Sequence, residues 1–129
     1  MDHWSRIEAA IAGAATDRPP VALWRHFPHD DQDAQKLAVR SLDWQRKWDF
    51  DLVKFMPSGT YGVEDWGARS VYEGAANGAR AVVVPGLAKP EEWRRLSRLD
   101  VAKGVLGAQN QSLALVAKEL RGEVPILQT

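Results

Sequence analysis

The stretch "RPPVALWRHFPHDD", Arg18 to Asp31, decides how the fold is read. Two prolines lead into four apolar residues, Val21 to Trp24, and the run ends in an arginine, two histidines and two aspartates. Four consecutive apolar residues without alternation fit a strand covered on both faces, as in a parallel sheet. A strand that surfaces into charged side chains at its C-terminal end is also how an α/β enzyme presents a site.

Upstream, Trp4, Ile7 and Ile11 recur at helical spacing, and Gly13 and "DRPP" end that short amphipathic helix. Downstream, "DDQDAQKLAVRSLDWQRKW" opens on Asp30 or Asp31 as N-cap. It then places Leu37, Ser41, Trp44 and Trp48 on one stripe of a helix. "DLVKFMPSG", Asp51 to Gly59, is a second short buried strand, so strand, helix and strand form a βαβ unit. "RSVYEGAANGARAVVVPG" predicts a β-hairpin around Asn77-Gly78. "KPEEWRRLSRL" predicts a helix with Pro90 at its first position. A longer helix carries Leu113, Val116, Ala117 and Leu120 and stops at Gly122, and Val124 to Leu127 predicts a third parallel strand. Trp4, Trp44, Trp48 and Trp93 fall on helical stripes and are expected between helices and sheet.

A length of 129 residues suits one domain. The 17 basic and 17 acidic residues cancel, which gives no electrostatic footprint for nucleic acid or an anionic membrane. Without cysteine there is no disulfide, thiolate ligand or thiol nucleophile. The N-terminus lacks the pattern of a signal peptide, and no apolar stretch approaches the ~20 residues of a membrane span. A soluble, cytoplasmic chain is expected. The alternation of strands and helices stops after the third strand. Residues 1–129 are therefore expected to be a single partial domain, the front segment of a (β/α)8 TIM barrel. It would hold about three parallel strands, covering helices and a β-hairpin excursion.

In this order of elements the chain resembles the N-terminal part of the uroporphyrinogen decarboxylase family. The family's first strand, P-V-W-x-M-R-Q-A-G-R-Y, is similar to Pro20-Val21-Ala22-Leu23-Trp24-Arg25 and the loop through Asp30. Its second strand resembles Asp51 to Ser58, and its third, G-x-V-P-L-I-G, resembles Gly122 to Gln128. The resemblance implies a barrel that decarboxylates an acidic tetrapyrrole-type substrate of porphyrin biosynthesis without a cofactor. It implies a substrate-binding role for Arg25, and it sets His29 where the family has a second arginine. The family's catalytic aspartate falls at Ser58, which cannot stabilise a cation as a carboxylate does. Glu64 or Asp65 could restore that carboxylate. The superfamily also contains corrinoid-dependent methyltransferases, which offer an alternative activity. A non-catalytic remnant or binding module is a further one.

The residues themselves carry part of this. A guanidinium at a strand's C-terminal end suits bidentate capture of a carboxylate, so Arg25 is the leading contact for a small acidic molecule. Lys54, inside an apolar strand, must either face the pocket or pair with an acid such as Asp49 or Asp51. His26, His29, Asp30 and Asp31 offer metal-ligand types, but successive loop residues rarely converge on one ion, and no metal is expected. Self-association of the incomplete sheet is expected.

Overall fold

Parallel strands need a long crossover between them, and the chain supplies one. A computed structural model describes every residue from Met1 to Thr129. In it β1 (Val53–Phe55) pairs in parallel with the last strand, Ile126–Gln128, in the register Val53 opposite Ile126 and Phe55 opposite Gln128. Ahead of β1 come helices α1 (His3–Ile11) and α2 (Ala34–Trp48). After it the chain makes one turn of helix, α3 (Tyr61–Glu64), and an antiparallel hairpin of β2 (Arg69–Val71) and β3 (Ala81–Val84). A 3₁₀ helix over Pro90–Arg95 and α4 (Gly104–Leu120) follow, and the final strand is β4. The fold is mixed α/β, with a two-stranded parallel sheet and a separate two-stranded hairpin.

The core lies where α2 and α4 pack over that parallel pair. Leu37, Ala38 and Leu42 of α2 meet Val116 of α4, with Val53, Phe55 and Val124 below. The helical spacing of these residues explains the arrangement. Asp33, rather than Asp30 or Asp31, caps α2 by accepting from the Lys36 amide at 2.9 Å. At the other end of α2, Asp49 takes a left-handed conformation, with φ 51°. The hairpin turns at Asn77-Gly78 as its sequence requires: Gly78 has φ 76°, and the Asn77 side chain accepts from the Ala79 amide. Pro90 does open a helical segment, but of the 3₁₀ type. There the Glu92 carboxylate collects the amides of Ala88 and Lys89.

Val21 to Trp24 is extended but forms no strand, so the parallel sheet holds two strands rather than three. The hydrogen-bond accounting gives the reason. Pro19 and Pro20 carry no N–H. The Val21 amide donates to the Asp51 carboxylate at 2.8 Å, and the Leu23 carbonyl accepts from the Trp44 indole at 3.1 Å. One backbone bond, from the Asp51 amide to the Val21 carbonyl, is left to join this segment to the β1 side. Val21, Leu23 and Trp24 are exposed, contrary to the burial expected of them. The tryptophans depart from expectation in the same way: Trp4, Trp48 and Trp93 are exposed, and Trp44 alone of the four is partly covered.

Asp51 organises the amino-terminal arm. It is fully buried, and its carboxylate accepts from Arg6 Nη1 at 2.5 Å, from Arg18 Nη1 at 2.5 Å and Nη2 at 3.0 Å, and from the Val21 amide. His3 lies 3.4 Å away. Burial alone would raise the Asp51 pKa, but the hydrogen bonds from Arg18, Val21, Arg6 and His3 together hold it well below the usual carboxylate range.

Candidate functional site

The C-terminal end of β1 runs into Pro57 and Ser58, both buried. Ser58 Oγ lies 2.9 Å from Thr60 Oγ1 and donates to Glu64 Oε1 at 3.3 Å. Thr60 Oγ1 also donates to that oxygen, as does Ser70 Oγ at 3.2 Å. Glu64 is carried there by α3, whose single turn starts just after Ser58. Three hydroxyls thus converge on one carboxylate at the strand end, and no ion pair neutralises it. One cation stands beside the cluster: Arg80 of the hairpin, which bonds Ser70 Oγ at 3.4 Å, the Pro28 carbonyl at 2.9 Å and Asp31 at 3.1 Å. Burial pushes the Asp31 carboxyl up, and neighbouring Glu64 adds to that push. Gln32 and Arg80 offset only part of it.

Arg25 and His29 come together elsewhere, in a groove of about 340 Å³ between the Arg25–Asp30 loop and α2. Arg40, Asp43, Trp44 and Lys47 of the helix form its other wall. The Arg25 guanidinium sits 5.7 Å from the ring centres of both Phe27 and Trp44, within cation–π range. Neither Arg25 nor Lys47 has a carboxylate partner, whereas Arg40 is paired with Asp30 at 2.8 Å. His29 packs edge-on against Tyr72 at 5.1 Å, and His26 turns instead toward the Pro57 carbonyl, 3.3 Å from Nδ1. His26 therefore links the groove to the strand end that carries Ser58.

The remaining candidates are differently occupied. Lys54 pairs with no acid, and it lines a small cavity together with Trp24 and Arg25. Its ammonium lies 3.6 Å from the ring centre of Trp24, a cation–π contact across the gap between the extended segment and β1. Asp65 gives one carboxylate oxygen to the Val105 amide (2.8 Å) and the other to the Leu106 amide (2.9 Å), which ties it to the start of α4. Sequence reading missed Arg80 and the buried states of Asp31 and Asp51. The alternation of the hairpin was the one signal that could have turned Arg80 inward.

No family model matches the chain, and neither a curated protein nor a solved structure shows significant similarity to it. No helix is long and apolar enough to cross a membrane.

Proposed function

We propose that the chain supplies the front of a uroporphyrinogen decarboxylase-like (β/α)8 barrel acting on an acidic, tetrapyrrole-type substrate. The observation that carries this reading is the contact between Ser58 and Glu64. The family's charged position is a serine here, and a carboxylate from the following turn lies within hydrogen-bond reach of it. Three hydroxyls hold the Glu64 carboxylate at the strand end, where it would stabilise the positive charge that develops when a pyrrole ring is protonated before loss of carbon dioxide. The groove at Arg25 offers substrate carboxylates a guanidinium and the Lys47 ammonium, both without acidic partners. His29 stands on its rim. The same free cations favour a second reading, a binding module that takes up a polycarboxylate without transforming it.

Titration of the chain with uroporphyrin, followed by its fluorescence, tests both readings. Binding is expected, with Arg25→Ala weakening it by roughly tenfold. Turnover of uroporphyrinogen by the whole barrel that this reading supposes, lost in Glu64→Gln, supports the decarboxylase. Binding without turnover supports the module. If uroporphyrin does not bind, both fail.

A further inference from the structure

A second cavity, of about 250 Å³, lies between the start of α2 and the first turns of α4, apart from the Arg25 groove. Asp31 and Ser112 both line it. The Asp31 side chain is 1% exposed and Ser112 is 0% exposed. One oxygen of Asp31 is bonded to Arg80 and Gln32, but Oδ2 is buried without a hydrogen-bond partner, and so is Ser112 Oγ. Native interiors rarely leave such atoms unpaired, and two of them on residues that line one cavity call for an explanation. No lysine, arginine or histidine lines the cavity, and its other carboxylate, Asp65, is already bonded to two amides. Leu37, Val105 and Ala108 supply an apolar floor.

A ligand suited to these walls brings a positive charge, N–H donors and a short apolar body. The volume equals that of about eight water molecules, so the body is small. We propose that this cavity binds a small primary ammonium compound, an aliphatic amine or amino alcohol. Its ammonium donates to Asp31 Oδ2, its chain lies on Leu37 and Ala108, and a hydroxyl, where present, meets Ser112. A hard metal ion fits less well, because only one carboxylate oxygen and one hydroxyl are unengaged, well short of its coordination number.

Calorimetric titration with n-butylammonium chloride, ethanolammonium chloride and n-butanol tests this. Both ammonium salts should bind and the neutral alcohol should not. Asp31→Asn should weaken both amines by about tenfold. Ser112→Ala should weaken ethanolammonium more than butylammonium without lowering the melting temperature, since it deletes an unpaired buried hydroxyl. Ala108→Leu, which fills the cavity, should abolish binding while leaving a cooperative melt. It decides the matter if Asp31→Asn does not fold. Equal binding of butanol, unchanged affinity in Ala108→Leu, or no binding of either amine would overturn the proposal.

Discussion

At Asp51 a single carboxylate holds two arginines and a backbone amide in a water-free position. Breaking a buried pair leaves its partner charge uncompensated, which is usually worse than never having had the pair. Asp51→Ala is therefore expected to destabilise the chain by about 3 kcal/mol, the low end of the range, because Arg18 is half exposed and can return to water. The pH dependence follows from the sign of the shift. The folded-state pKa lies below the ordinary value of 3.8, so this stabilisation is complete above that value and is lost as pH falls through the folded pKa. Denaturant melts between pH 6 and about 2 should show the loss in the parent chain and a shallower acid limb in Asp51→Asn. Nothing at residue scale in the sequence reveals this role. Asp49 and Asp51 look alike there, and only the arrival of Arg6 and Arg18 from far upstream separates them.

Among the elements, the helices were the most legible, because an apolar stripe is a local property. α2, β1, the hairpin, α4 and the last strand all lie where the pattern predicts, but the βαβ unit lacks its first strand. The extended Val21–Trp24 segment differs because a strand exists only through its neighbour, and the amide of Val21 and the carbonyl of Leu23 go to side chains instead. The start of α2 follows three closely spaced acids, Asp30, Asp31 and Asp33, of which only Asp33 reaches an amide of the first turn. Asp33→Ala should cost about 1 kcal/mol by thermal melts, and Asp30→Ala much less. The start of α4 is tighter. Gly104 has φ 60°, and a Cβ there would meet Asp65 Oδ1 at 2.2 Å. Gly104→Ala should therefore destabilise by at least about 2 kcal/mol, and by clearly less in an Asp65→Ala background, as a double-mutant cycle would reveal.

The whole molecule has a large surface for its mass. It exposes 8490 Å², against about 6,800 Å² for a compact monomer of 14.4 kDa. The excess, roughly 1,600 Å², is comparable to the total area of a standard protein interface. Only 19 of 129 residues are buried, so the core is small, and Val21, Leu23, Trp24 and Trp93 stay at the surface. Helical spacing marks which way a tryptophan faces but not whether anything lies opposite, which is why the tryptophans were misread. The candidate site was legible to the same degree. Arg25 and His29 could be placed together from their shared loop, while the Ser58–Glu64 contact needed the turn of α3. Light scattering behind size exclusion should find a mass above the monomer that grows with concentration. A monomer with a single sharp melt would argue against a chain built to be covered.

The bonds of Asp51 also make α1 separable in principle. The helix is fastened mainly by charge: Arg6 grips Asp51 and Asp17, while Ile11 is 83% exposed and Trp4 only half covered. The residues that follow, Ala12 to Ala15, are exposed and small, open to a protease that cuts after alanine. After such a nick the helix would be a peptide ligand of the remaining chain. Rising ionic strength should weaken its hold at the exposed Asp17 and much less at the buried Arg6–Asp51 pair, so the peptide should loosen in salt and tighten again when salt is removed.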